Sequence, residues 1–477
     1  VLAVIILDLL IVNKRLLVYF SVIGLIIPLM FSLNIWFGLV GNISNTEAFY
    51  GTINADRFAL FFHFVLLGIT ALVIAGSVGY IERMKGLQGE FLSLILFSLL
   101  GMMILVSAKE LITIYVSLEL TALPIAALAA FRKNSLSIEA GLKFIILSAV
   151  SSAILLYGIV FLYGYVGTTD LGEIFYRLQE LPRDSNLPFG SPVMLLSVSL
   201  LTAGFAFKMA IVPWQMWVPD VYQGAPTPLG AFLSTASKAS AFAVVIRLLY
   251  TSFAIDEMLI DWAQIFAVLA VVSMIFGNLV ALRQSDIKRL LGYSTITQAG
   301  YILIGLASVS ASVESGSLIA GPQSALYYLA GYAFTNLAVF LAVIVVINRT
   351  GNSEINGLNG LLSRSPWLSI MLGIGLLSLL GIPPSVGFMS KVIVFSAAIN
   401  SGLLWLAIAG VINTVISAFY YLKIIRAIFF ESTNDDTKVD VSIPVLIPIS
   451  IATFGVILFG VVPWLILEIV EKSLDIL

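Results

Sequence analysis

Apolar stretches long enough to cross a lipid bilayer recur along this chain from one end to the other. Approximate spans are 1–12, 16–40, 58–81, 91–108, 111–131, 140–166, 193–218, 228–251, 262–282, 288–308, 323–348, 366–389, 391–429 and 443–468. That is about fourteen helices at roughly 20 residues per span. The division at Lys391 allows for a helix that breaks there. Hydrocarbon offers a backbone no hydrogen-bond partners, so a spanning segment must be a helix or part of a closed barrel. The alternating pattern of barrel strands is absent. The expected fold is therefore an all-α, polytopic transmembrane helical bundle. Composition agrees: 60% of the residues are hydrophobic and 10% charged, against about 25% charge in a soluble domain.

The same composition narrows the chemistry. The chain has no cysteine, one histidine (His63) and a net charge of −2. Disulfides, thiolate metal sites and cysteine-bound iron–sulfur clusters are excluded, and no basic surface invites nucleic acid. No phosphate-binding glycine loop, nucleophile triad or metal cluster appears, so no redox centre is expected in this chain. The opening Val1–Val12 run has no basic segment before it and no cleavage site after it. It reads as the remainder of a first membrane helix whose start is missing, not as a signal peptide.

Cations mark one face of the bundle. Loops after odd-numbered helices hold Lys14, Arg15, Arg83, Lys85, Arg132, Lys133, Arg283, Lys288, Arg289, Arg349, Arg364, Lys423, Arg426 and Lys438. Loops after even-numbered helices hold Glu47, Asp56, Asp170, Glu173, Asp184, Asp256, Glu257 and Asp261. This alternation puts the odd loops in the cytoplasm or its organellar equivalent, with both termini opposite. The longest outer loop, about 167–190, reads as an amphipathic surface segment. The chain is one membrane domain. Within it, N-terminal helices (1–90) precede two candidate repeats (91–251 and 262–429) and a C-terminal helix (430–477). Each repeat holds a polar helix interrupted by proline: Lys208 to Pro213, and Pro383-Pro384 to Lys391. Paired broken helices point to an ion path.

Five ionisable residues lie in or near apolar spans: Glu119, Lys143, Lys208, Lys238 and Lys391. A charge at the bilayer centre costs about 2.5–3.5 kcal/mol on insertion scales, so it needs a partner or a polar cavity. Lysine suits proton work, because burial destabilises the ammonium and a neighbouring carboxylate stabilises it. Glu119 with Lys208 would make a switchable pair. The competing readings are structural. Lys391 at a helix end could snorkel to the headgroups, and Lys143, four residues after Glu139, could form a plain ion pair. His63 reads as a packed polar residue.

The motifs then meet a family. Pro213-Trp214-Gln215-Met216-Trp217-Val218-Pro219-Asp220-Val221-Tyr222-Gln223-Gly224-Ala225-Pro226-Thr227-Pro228 resembles the signature of the antiporter-like subunits of respiratory complex I. The Asp220-Val221-Tyr222 to Pro228 segment, with Ser237-Lys238-Ala239, is similar to the subunit N branch. Arg283 to Ser294, Gly300-Tyr301, and Gly381-Ile382-Pro383-Pro384 to Lys391 extend the resemblance over nearly the whole chain. It implies about fourteen helices with two inverted five-helix repeats. It also implies a proton path through Glu119 (fifth helix), Lys208 (seventh), Lys238 (eighth) and Lys391 (twelfth). Glu119 and Lys208 would be the switch, Lys238 the relay and Lys391 the exit-side group, with Lys143 a further candidate. Gln215 and Gln298 stand where the family often has histidine, so water and lysines would carry the proton there. The implied role is proton translocation within an NADH (or related donor):quinone oxidoreductase of an energy-transducing membrane, a bacterial plasma membrane above all. Flavin, iron–sulfur clusters and quinone are then expected in partner subunits, and the neighbours are an M-type antiporter-like subunit and small K- and J-type subunits. The rivals are a cation/proton antiporter assembly, a solute permease and a structural scaffold.

Overall fold

The computed structural model describes residues 1–11, 13–38, 47–84, 86–182, 184, 187–309, 320–432 and 438–474. Val12 and Lys85, named above, lie outside them, as do parts of the 16–40 span and of the 167–190 loop. The apolar runs are helices: α1 (Leu2–Leu10), α2 (Arg15–Trp36), α3 (Arg57–Gly76), α4 (Gln88–Ser107), α5 (Leu111–Ala129) and α6 (Ser135–Val166). After the surface helix α7 (Leu171–Glu180) come α8 (Pro192–Met209), α9 (Trp217–Gly224), α10 (Thr227–Thr251), α11 (Asp256–Ala281) and α12 (Ile287–Ala307). The chain continues with α13 (Ala320–Thr350), α14 (Pro366–Leu380), α15 (Val386–Asn400), α16 (Leu404–Phe429), α17 (Ile443–Val461) and α18 (Trp464–Leu474). Among the described residues, twelve helices are long and apolar enough to cross a membrane. Counting α14–α15 as one broken helix, and the short apolar α1 as another, gives the expected fourteen. A short hairpin, pairing Glu47 with Asn54 and Ala48 with Ile53, and three isolated bridges are small departures from all-α.

Local chemistry starts and stops the helices. Asp56, Asn134, Asp170, Ser191 and Asp286 each cap a helix by accepting from a backbone N–H three residues on. Such caps satisfy N–H groups that lipid would leave bare. Helix α7 buries Leu171, Ile174 and Leu178 on one face, so the outer loop carries the amphipathic segment expected of it. Helices α10, α12 and α13 form the centre; α12 is buried along its whole length. The outward faces of α6, α11 and α16 are lined with exposed Ile, Leu, Val and Phe, as lipid-facing helices should be.

The loop charges sort to opposite ends, as the alternation requires. At one end Arg15 pairs with Glu82 at 2.5 Å, Arg83 donates to Asn348 O, and Ser353 donates to Asp286 at 2.5 Å. At the other, Thr169 donates to Glu110 at 2.9 Å and the Phe189 N–H to Asp261 at 2.7 Å. Lys109 is a cation on that acid-rich end, where it pairs with Glu47 at 2.6 Å.

The two interruptions share one geometry. Helix α8 ends at Ala210 in the left-handed region (φ 61), and α14 ends at Gly381 (φ 90). In each case the next N–H reaches five residues back: Ile211 N to Ala206 O at 3.1 Å, and Ile382 N to Leu377 O at 3.0 Å. This is the helix-terminating loop that an αL residue permits. A cis X-Pro bond follows at the same spacing, Val212-Pro213 and Pro383-Pro384. The second break therefore falls at Gly381–Ser385, not at Lys391, which corrects the 366–389 and 391–429 spans. Proline and the αL glycine end the helix, Ser385 restarts it, and Lys391 lies inside α15.

Past that break α15 packs tightly on α14. A Cβ on Gly387 would lie 1.9 Å from Ser378 O. Gly387→Ala is accordingly expected to destabilise by about 1–3 kcal/mol through overpacking, seen as a lower unfolding midpoint of the detergent-solubilised protein.

Candidate functional site

Helices α6 and α8 run antiparallel at close range because glycine faces the contact. A Cβ on Gly204 would lie 2.5 Å from Leu155 Cβ, and one on Gly158 2.8 Å from Leu201 N. Small residues of this kind let membrane helices approach closely. Two hydroxyls pin the register: Ser151 donates to Gly204 O at 3.1 Å and Ser197 to Gly158 O at 2.9 Å. That register carries Lys208, in the last turn of α8, to Ser148 of α6. The Lys208 ammonium donates to Ser148 Oγ at 3.1 Å and lies 5.6 Å from the Phe207 ring centroid. One turn along α6, Ser152 donates to the carboxylate of Glu119, which projects from the middle of α5. Glu119 and Lys208 attract one another through space, but no direct ion pair joins them. The structure thus brings the two together with a pair of serines between.

Lys238 is 2% exposed. It begins the regular part of α10 after a wider, π-helical turn at Leu233–Ser237. Such turns leave backbone groups off the usual ladder and recur at functional positions. Its ammonium donates to Thr295 O of α12 at 2.6 Å, over the Tyr332 ring at 6.0 Å. Thr295 Oγ1 and Tyr332 OH share a hydrogen bond of 2.9 Å.

Lys391 does not snorkel; it is 4% exposed. It reaches back across the break and donates to Leu379 O at 3.1 Å and Leu380 O at 2.7 Å, beside the Tyr301 ring at 4.9 Å. The proline loop frees those two carbonyls from the helix ladder. At the first break an indole bonds the helix end: Trp217 Nε1 donates to Phe207 O at 3.1 Å, a carbonyl that also accepts from the Ala210 N–H. Gln298 of α12 also reaches Leu379 O, at 3.4 Å, and accepts from Tyr328 OH at 2.5 Å. It donates as well to Tyr421 OH at 3.4 Å, and Tyr421 is bonded to Ser294 Oγ at 2.5 Å. Successive polar residues of α12 thus lie between Lys238 and Lys391: Ser294 and Thr295 on one turn, Gln298 on the next. Among the described residues, no side-chain hydrogen bond links the Lys208 group directly to Lys238.

Lys143 lies apart from this line. It sits toward the cation-rich end of α6, paired with Glu139 at 2.6 Å and with Asp220 at 2.7 Å. Arg289 takes the other oxygen of Asp220 at 2.6 Å. The i,i+4 pair read from the sequence is present, within a larger charged cluster. His63 packs as expected, its Nε2 within 3.0 Å of Ser107 Oγ and 3.2 Å of Met103 O.

Sequence reasoning missed several of these groups. The serines at 148, 151 and 152 were visible as hydroxyls one turn apart on an apolar helix. The pair Asp56–Arg247 was not anticipated as a pair: Arg247 of α10 clasps Asp56 through two nitrogens at 2.7 and 2.8 Å, almost wholly buried, with Phe58 4.9 Å beneath it. Nor was the amide pair Asn278–Asn413, joined at 3.0 Å, with Tyr420 OH on Asn278 at 3.0 Å.

With this geometry in hand, comparison with known proteins is informative. Residues 108–417 match the family described as NADH:quinone oxidoreductase/Mrp antiporter, TM. The NADH-quinone oxidoreductase subunit N of Dehalococcoides mccartyi is 40% identical over 98% of this chain and 94% of its own length. That of Trichlorobacter lovleyi is 35% identical over 93% and 91%. A chain of respiratory complex I from Thermus thermophilus superposes with a TM-score of 0.77 at 28% identity, covering 98% of this chain and 96% of that one. A chain of the Mrp complex from Dietzia sp. DQ12-45-1b shares the fold, with a TM-score of 0.84 at 19% identity over 99% and 94%. The chain belongs to the NADH:quinone oxidoreductase/Mrp antiporter membrane family, and within it to the subunit N group.

Proposed function

We propose that this chain translocates protons as an integral membrane subunit of an NADH (or related donor):quinone oxidoreductase. Electron transfer takes place in partner subunits, which carry the flavin, iron–sulfur clusters and quinone. Here a proton passes among Glu119, Lys208, Lys238 and Lys391, and the two halves, 91–251 and 262–429, each supply one broken helix to the path. The observation that carries this reading is the seating of the three lysines. Each is drawn into the bundle interior and held on a hydroxyl or on backbone carbonyls rather than extended to a headgroup. Such sites accept a charge without locking it in a strong ion pair, which suits exchange of a proton.

In this reading Glu119 and Lys208 form the switch, Lys238 relays and Lys391 serves the exit side. Lys143, in its charged cluster, orders the cation-rich end. The neighbours are an M-type antiporter-like subunit and the small K- and J-type subunits, and the membrane is a bacterial plasma membrane.

The test is quinone-linked proton pumping by the assembled complex in sealed vesicles. Lys391→Ala is expected to lower the protons moved per quinone reduced while quinone reduction continues. A full pumping ratio in that variant would remove Lys391 from the path. A cation/proton antiporter assembly predicts cation-linked proton exchange with no quinone-reducing partner present, so the same vesicles separate the two readings.

A further inference from the structure

We propose that Ser148 and Ser152 form a hydroxyl relay that carries the proton between Lys208 and Glu119. The proposal rests on the proton-path reading above and names the element that joins its first two groups.

The default for a hydroxyl in this bundle is to bond the carbonyl four residues back on its own helix. Ser21, Thr70, Thr121 and Thr202 all do so. That local bond satisfies a polar side chain in an apolar setting. Ser148 and Ser152 are equally buried, at 5% and 6% exposure, yet neither makes it. Each is turned toward an ionisable group on a different helix: Ser148 toward Lys208 of α8, Ser152 toward Glu119 of α5. Their neighbour Ser151 makes the packing bond to Gly204, so the helix contact does not need the other two.

Both hydrogen bonds point the same way. Lys208 donates to Ser148, and Ser152 donates to Glu119. The serines are one helical turn apart, with Cβ atoms about 5–6 Å from each other. Two hydrogen bonds of about 2.8 Å meeting at one water molecule span that gap. The transfer then balances. The ammonium of Lys208 gives a proton to Ser148 Oγ as the Ser148 proton passes to the water. The water gives one to Ser152 Oγ as the Ser152 proton passes to Glu119. Lys208 ends as a neutral amine and Glu119 as a neutral acid; the serines and the water are restored, and no electron moves. The pair is discharged and recharged by turning hydroxyls, without swinging either long side chain.

The test compares threonine with valine at both positions in the intact complex. The two residues match in shape and differ by the hydroxyl. S148V and S152V are expected to slow proton transfer between Lys208 and Glu119 by about 100-fold, the low end of what a positioned proton-transfer group contributes, and so to lower the protons moved per quinone reduced. S148T and S152T are expected to stay near the unsubstituted ratio. Equal pumping by the Val and Thr variants, whether both high or both low, overturns the relay, because the hydroxyl then does not matter. Lys208→Ala is measured alongside. If it pumps fully, the proton-path reading itself fails; if it is impaired while the valine variants pump fully, only the relay does.

Discussion

Replacing Lys208 by alanine is expected to slow proton transfer through this subunit by about 100-fold or more, the scale of removing an acid–base group from a transfer step, and so to remove this subunit's share of the protons moved per quinone reduced. Alanine is the best helix former, and the αL turn at Ala210 with its backbone bonds does not use the lysine head. The complex is therefore expected to assemble and to keep reducing quinone. Lys208→Arg makes the test sharper. It retains the charge beside Glu119 but holds its proton throughout. If charge alone mattered, arginine would restore pumping; if a proton must leave the site, it would not. We expect the second result. The measurement is dye-reported proton movement in inverted vesicles against quinone reduction in the same sample. A normal ratio in both variants would end Lys208's assignment to the path.

The second large effect is on stability. The Asp56–Arg247 pair ties the N-terminus of α3 to α10 where neither partner reaches water. Removing one member leaves the other charge buried and unpaired, at a cost of about 3–5 kcal/mol. Asp56 also caps α3 through the Ala59 N–H at 2.8 Å, so Asp56→Ala loses a cap worth roughly 1 kcal/mol as well. Arg247→Ala and Asp56→Ala are each expected to lower the amount of assembled subunit in the membrane. Arg247→Met combined with Asp56→Asn is expected to recover much of it, since the charge is gone and the cap retained. Subunit level on native gels and the unfolding midpoint report both. Unchanged levels in the single variants would show that water reaches the pair.

The fold was legible because lipid imposes one rule on every span, and the loop charges then numbered the spans. What the sequence could not place was the second break. Pro383-Pro384 announced it, but Lys391 interrupts the apolar run and drew the boundary eight residues late. The site was legible wherever a charge stood in an apolar helix, because the energetic penalty makes such a residue conspicuous. Ser148 and Ser152 carry no penalty. They look like any small residue until the partner helices are in place. Asp56 and Arg247 are 191 positions apart, and each alone reads as an ordinary residue near a membrane boundary.

The lysine at the second break differs from the one at the first in a way that matters for control. Lys208 has an acid for company, whereas the Lys391 ammonium meets the open carbonyls of Leu379 and Leu380 and the ring of Tyr301. The carbonyl end of a helix carries about half a negative elementary charge. The severed helix is thus the counterion of Lys391, anchored in the backbone and unable to rotate away. Any gate at this end must act through hydration or through an arriving like charge, because its counter-charge is built into the scaffold.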